Sequence, residues 1–200
     1  MSRRIFIIVL VVILGIVLLS SFSSYNRFVA LDEQVNSSWA QVENVLQRRM
    51  DLIPNLVQTV KGYANFEQET LTQVIQARAQ ATQTKVDAGQ MTDNPQQMQK
   101  YLNAQNSLSS SLGRLMVVVE RYPELKANQN FLRLQDELAG TENRIAVERR
   151  RYNEAVRAFN QKIRTFPSNI FAGLFGFEQR PYFEAPEEAQ TVPQVDFGTD

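Results

Sequence analysis

Ile5-Phe-Ile-Ile-Val-Leu-Val-Val-Ile-Leu-Gly-Ile-Val-Leu-Leu-Ser-Ser-Phe22 carries no charge, and Arg3-Arg4 stand directly before it. At roughly 1.5 Å of rise per residue, this stretch with Ser23 and Ser24 crosses most of a hydrocarbon layer about 30 Å thick. Only a helix does so with its backbone polar groups satisfied internally. The sequence beyond residue 24 is polar enough for water. The expected organisation is a stub and transmembrane anchor over 1–24, a helical bundle over 25–183, and a disordered acidic tail over 184–200. The tail assignment rests on its Pro, Glu and Gln content.

A cleaved secretory signal is the rival reading of the apolar stretch. Its core is longer than such signals usually have, and no A-x-A triplet follows, although Ser20, Ser21, Ser23 and Ser24 are small enough for cleavage. Lipid attachment through cysteine is excluded, because the chain has none. Positive charge near the ends of a span sets its orientation. Arg3, Arg4 and the amino terminus precede the span, whereas only Arg27 follows closely, opposed by Asp32 and Glu33. The expectation is a single-pass membrane protein, with a cytoplasmic N-terminus and an extracytoplasmic bundle.

Composition removes several classes of chemistry. The 21 basic and 21 acidic side chains cancel, which leaves no broad field for nucleic acid. Without histidine or cysteine there is no ordinary zinc site, no Ser-His-Asp triad and no thiol nucleophile. No cofactor is implied.

The soluble part reads as all-α, a bundle of about four long helices. From Phe28 an apolar stripe runs Leu31, Val35, Trp39, Val42, Leu46, Met50, Ile53, Val57 and Val60, in helical steps of three and four. The stripe keeps its phase across Pro54. One long helix to about Lys61 is therefore expected, kinked near Met50 to Pro54, with a full break as the alternative. Asn65 with Gln68 suggests a cap for a second helix over about 66–86, with Leu71, Val74, Ile75 and Ala79 inward. The stretch from Asp87 to Pro95 reads as turn material. A third helix is expected from Pro95 to Glu120, with Met98, Tyr101, Leu102, Leu108, Leu112, Leu115, Val118 and Val119 inward. The fourth carries Phe131, Leu134, Leu138, Ile145, Tyr152, Val156, Phe159, Ile163 and Phe166, interrupted around Glu142 and Arg149. Gly140 inside it suggests a close backbone approach. Phe171, Leu174, Phe175, Phe177 and Tyr182 are too apolar for a free tail and are expected to fold back on the bundle.

Two clusters are candidates for contact with a partner or an anion. Arg48, Arg49, Asp51 and Asn55 flank the bend at Pro54, where a freed carbonyl is also expected. Arg149, Arg150 and Arg151 belong to a basic run that starts at Arg144 and continues through Arg157, Lys162 and Arg164, opposed there by Glu148 and Glu154. Such a run suits anionic headgroups. It equally suits pairing with Glu43, Glu120, Glu137 and Glu142. No aromatic residue interleaves with the arginines, which argues against nucleic acid. Glu67 with Glu69 and Asp136 with Glu137 are spaced to face apart, so neither is an acid-base pair.

Trp39-Ala-Gln-Val-Glu43, Gln47-Arg-Arg-Met-Asp-Leu-Ile-Pro-Asn-Leu-Val57, Val60-Lys-Gly-Tyr-Ala64, Tyr122-Pro-Glu-Leu-Lys-Ala-Asn128, Gly140-Thr-Glu-Asn-Arg-Ile-Ala146, Arg151-Tyr-Asn153 and Tyr182-Phe183 occur in that order. In these motifs the chain resembles the bacterial LemA family, with Phe66 where that family often has histidine. The resemblance implies an N-terminal anchor carrying an antiparallel bundle, no established enzymatic activity, and membrane-associated roles as partner or scaffold. The resulting expectation is a non-enzymatic scaffold. It contacts the bilayer through Ile5–Phe22, and its partner is an envelope membrane protein or a second copy of the chain. A module binding anionic lipid through the fourth helix is the alternative.

Overall fold

The computed structural model describes residues 2–63, 67–84 and 88–183. Its elements are α1 (Ser2–Lys61), α2 (Gln68–Gln83), α3 (Ala88–Asp93), α4 (Pro95–Val119), α5 (Pro123–Lys126), α6 (Gln129–Arg164) and α7 (Ser168–Phe175), with no strand among the described residues. The 184–200 tail lies outside the described residues.

α1 runs unbroken from the apolar segment through Pro54, so the full break does not occur. Proline has no N–H, and the Met50 carbonyl one turn back therefore loses its helical donor. That carbonyl is not left free. Nε of Arg78, reaching across from α2, donates to it at 2.9 Å. The helix survives because a neighbour replaces the missing bond.

Every residue of the α1 stripe from Phe28 to Val60 is buried, whereas the apolar segment before it has no buried side chain among those described. α6 packs antiparallel along α1. Arg48 pairs with Glu137, Arg49 with Glu142, and Trp39 meets Tyr152, so the residue number falls on one helix as it rises on the other. α2 turns back from the far end of α1, and α4 rises again beside it, with Arg121 just past α4 pairing with Glu67 at the start of α2. Asn94 and Asn128 open α4 and α6, each side-chain oxygen accepting from two backbone N–H groups.

The core divides into two clusters. The membrane-distal one contains Met50, Ile53, Leu56, Leu108, Leu115, Phe131 and Leu138. The other contains Phe28, Trp39, Leu46, Tyr101, Ile145, Tyr152 and Phe159. Trp39 anchors the second, with ring centroids of Tyr152 and Tyr101 at 5.5 and 5.8 Å, edge-on, as aromatic quadrupoles favour.

Several local expectations are corrected. α2 buries Leu71, Val74, Ala77 and Ala81, while Ile75 and Ala79 are exposed, because its inward stripe advances by three, three and four residues and passes both of them by. Glu67 occupies its cap position and makes no side-chain cap bond; Asn65 lies outside the described residues. The expected turn over 87–95 contains α3, whose Met91 joins the core. A Cβ at Gly140 would meet nothing within 4 Å, so no close approach explains this glycine. Phe166 falls beyond the end of α6 and is exposed, since the helix stops at Arg164.

Ile53→Ala and Phe159→Ala should each cost about 2–5 kcal/mol, as deletions of fully buried side chains. Gly140→Ala should stabilise by up to about 1 kcal/mol, since helix propensity is gained and nothing is displaced. Denaturant unfolding followed by circular dichroism reads both signs. A neutral Phe159→Ala would contradict the packing described.

Candidate functional site

Between the two apolar clusters lies a polar layer centred on Arg49, whose side chain is 0% exposed. Its position follows from spacing: Arg49 sits on the same face of α1 as Leu46 and Ile53. Gln105 and Ser109 of α4 and Glu142 of α6 meet it. Nη1 donates to Ser109 Oγ at 2.9 Å and to Glu142 Oε1 at 2.7 Å, and Nη2 donates to Gln105 Oε1. One planar guanidinium thus joins three helices, a geometry lysine could not reproduce.

The layer is only partly satisfied. Nε of Arg49, Nε2 of Gln105 and Nε of Arg149 are buried without a hydrogen-bond partner. Burial, followed by the neighbouring Arg49 charge, lowers the Arg149 pKa, against the pull of Glu142 and Tyr101. The Arg149 guanidinium lies over the Phe183 ring at 4.1 Å. Burial pushes the Tyr101 hydroxyl up to about 12, with Glu43 adding to the shift and Arg49, Gln105 and Arg149 opposing it. Burial also raises the Tyr152 hydroxyl, which donates to the Pro181 carbonyl at 2.9 Å.

The structure therefore splits the candidates. Arg49 is buried, and the half-buried Arg149 lies close enough to feel its charge. Arg48 is exposed and pairs loosely with Glu137 at 3.5 Å. Asp51, exposed, accepts from Gln47 at 2.8 Å. Asn55 is exposed, and its carbonyl accepts from Thr59. Arg150 is exposed, and Arg151 pairs with Glu148 at 2.7 Å. Glu120 pairs with Lys126 rather than with the basic run. Next to Glu142 a shallow apolar groove separates α4 from α6, floored by Leu112, Gly113, Met116, Leu138 and Ala139.

Three residues of consequence were not singled out by the sequence. Arg78 rescues the Met50 carbonyl. Asn160 grips the Arg180 backbone with both amide atoms, at 2.9 and 2.8 Å. Arg180 pairs with Asp32 at 2.6 Å and with Asp93. Asn153, two helical turns before Asn160, holds the Phe183 backbone in the same two-bonded way. The Arg151-Tyr-Asn153 and Tyr182-Phe183 motifs are thus two sides of one junction. The seven-residue Asn spacing was the available signal.

Comparison with known proteins adds the following. The model of the LemA family matches residues 38–197. Magnetosome protein MamQ 2 of Paramagnetospirillum magneticum is 27% identical over 190 residues, 86% of this chain and 70% of its own length. Magnetosome protein MamQ of Magnetospirillum gryphiswaldense is 25% identical over the same shares. Protein LemA of Metamycoplasma hominis is 26% identical over 194 residues, 97% of this chain and 82% of its own.

Arg49→Ala should cost about 3 kcal/mol or more, because it empties a buried site and orphans Gln105. Glu142→Ala should cost less, roughly 1–2 kcal/mol, since Glu142 is half exposed and screened. Arg49→Met should recover most of the loss, as apolar replacements of buried ion pairs often do. Equal losses for Arg49→Ala and Glu142→Ala in urea titrations would contradict this ranking.

Stability should also fall in alkali. The Tyr101 pKa is raised on folding, from 10.0 to about 12, so its contribution is complete below pH 10 and is lost as pH rises through 12. The melting temperature should drop over that interval, and Tyr101→Phe should flatten the drop without abolishing it, because Tyr152 shifts in the same direction. An unchanged alkaline slope in Tyr101→Phe would refute the assignment.

Proposed function

The chain belongs to the LemA family, and from that premise we propose that it is a membrane-anchored, non-enzymatic helical scaffold presenting faces of its bundle to a protein of the bacterial envelope. The observation that carries this reading is the continuity of α1, in which an unburied membrane-length segment and the central stripe of the bundle belong to one helix. An anchor so joined makes the bundle a direct extension of the span and holds it close to the bilayer, as a presenting role requires. The absence of His and Cys from the sequence removes the commonest catalytic side chains and supports the non-enzymatic part. Arg48, Asp51, Asn55, Arg150 and Arg151 are exposed on the bundle surface and are its proposed polar contacts. The groove between α4 and α6 supplies an apolar one. The partner class remains an envelope membrane protein or a second copy of the chain.

A second reading, binding of anionic headgroups by the basic part of α6, is favoured by the antiparallel course of that helix. Its C-terminal end, with Arg157 and Arg164 exposed, returns toward the anchor. Arg149 to Arg151 lie near the level of Trp39, about 17 residues beyond Phe22, or roughly 25 Å along the helix. The reachable charges are therefore those past Arg157.

Two measurements test the leading reading. A photo-crosslinking residue at Val117, exposed one turn from Gly113, should form a discrete protein adduct in native membranes. Adducts with lipid alone would favour the second reading. Gly89→Cys, exposed and the sole thiol, should react with an impermeant maleimide while the inner membrane is intact. Labelling only after that membrane is lysed would reverse the proposed orientation, with its cytoplasmic N-terminus and extracytoplasmic bundle.

A further inference from the structure

From Thr165 to Phe177 the chain reads TFPSNIFAGLFGF, without a charge. α7 lies in this stretch and buries only Ser168 and Ala172 fully. Ile170 and Leu174, spaced by four on α7 and so on one side of it, are 59% and 74% exposed, and Phe166, in the turn just before the helix, is 77% exposed. Outside the apolar N-terminal segment, the described residues hold no comparable row of exposed large apolar side chains. Val117 stands singly on α4. A row like this is costly in water and marks a surface that something covers.

The position of α7 says what covers it. Its inner side is fastened to the beginning of the bundle. The Phe175 ring meets Tyr25 edge-on at 5.1 Å, and Phe177, just beyond the helix, meets Phe28 at 5.1 Å and Phe159 at 6.3 Å. Tyr25 is the first aromatic after the uncharged span that ends at Phe22, only about 5 Å further along a helix of 1.5 Å rise per residue. The polar interfacial zone of a bilayer is itself about 5–7 Å deep on each side. α7 is thus held at the depth of that zone, and its exposed apolar row continues the apolar surface of the anchor. Arg27 and Arg164, both exposed, flank this level with positive charge.

We propose that α7 is a second membrane contact, an interfacial helix that inserts Phe166, Ile170 and Leu174 into the leaflet from which α1 emerges. A short helix of this kind adds buried apolar area next to the span and resists rotation of the bundle about the anchor axis. Two contact points define a plane where one defines only an axis. The proposal rests on the reading of Ile5–Phe22 as a membrane anchor, and it extends that reading to a part of the chain about 150 residues away in sequence.

The test uses the full chain in nanodiscs of phosphatidylethanolamine and phosphatidylglycerol. The chain has no cysteine, so single variants can each carry one spin label: Leu10→Cys, Val117→Cys, Ile170→Cys and Leu174→Cys. Collision with oxygen, which concentrates in lipid, is compared with collision with a water-soluble nickel chelate. The oxygen-to-nickel ratio at 170 and 174 should exceed that at 117 several-fold, approaching the ratio at 10. A ratio at 174 equal to that at 117, with 10 still in hydrocarbon, overturns the proposal and leaves the anchor standing. Low collision with both agents at 174 also overturns it, because the face is then covered by protein, a partner or a second copy. A water-like ratio at 10 overturns the anchor reading, and the proposal with it.

Discussion

The buried guanidinium of Arg49 is the contact that sets how the bundle's long helices align. Apolar stripes slide past one another at small cost, since one leucine replaces another in the next hole. A charged group with three named acceptors does not slide. Shifting α6 by one turn would break the Arg49–Glu142 ion pair, at a cost that the half exposure of Glu142 moderates, and would leave the buried guanidinium with fewer of its acceptors. The same contact fixes α4 through Gln105 and Ser109. The layer contributes less to net stability than to uniqueness of register, and the partly unsatisfied donors around it are consistent with that division.

Pro54 extends the same logic to α2. By withholding a donor, it leaves the Met50 carbonyl as an acceptor on an otherwise smooth helix, and Arg78 takes it. The helix with the weakest apolar stripe is located by a polar bond that its neighbour's defect provides. At the opposite end, Asn153 and Asn160 bind the backbone of the segment after α7 as a neighbouring strand would, holding Arg180 between Asp32 and Asp93. Polar contacts thus specify what the apolar clusters stabilise.

The helices and their buried faces were legible because periodicity reports them directly: the α1, α4 and α6 stripes are buried as spaced, apart from Phe166. Arg49 was less so, because a charged residue is read by default as solvent-facing. Its phase with Leu46 and Ile53, matched by Gln105 between Leu102 and Leu108, carried the information. The interruption of the α6 stripe near Glu142 was its third component. Ile75 and Phe166 were misplaced for different reasons: the first because the buried face of α2 runs through Leu71, Val74, Ala77 and Ala81, the second because a helix end is set by local geometry rather than by pattern. The partner of Arg78 is a long-range pairing of which one-dimensional spacing contains no trace, whereas the grip of Asn160 left only the seven-residue spacing from Asn153.

An unbroken α1 also makes the protein a lever. From Phe22 to Lys61 the helix extends about 58 Å beyond the bilayer at 1.5 Å per residue. Transmembrane helices change tilt when hydrocarbon thickness changes. A tilt of about 10° would carry the far end of the bundle sideways by roughly 10 Å, with no rearrangement inside it. A change in membrane thickness would thereby move Tyr63 and Tyr122, at a distance no lipid can reach.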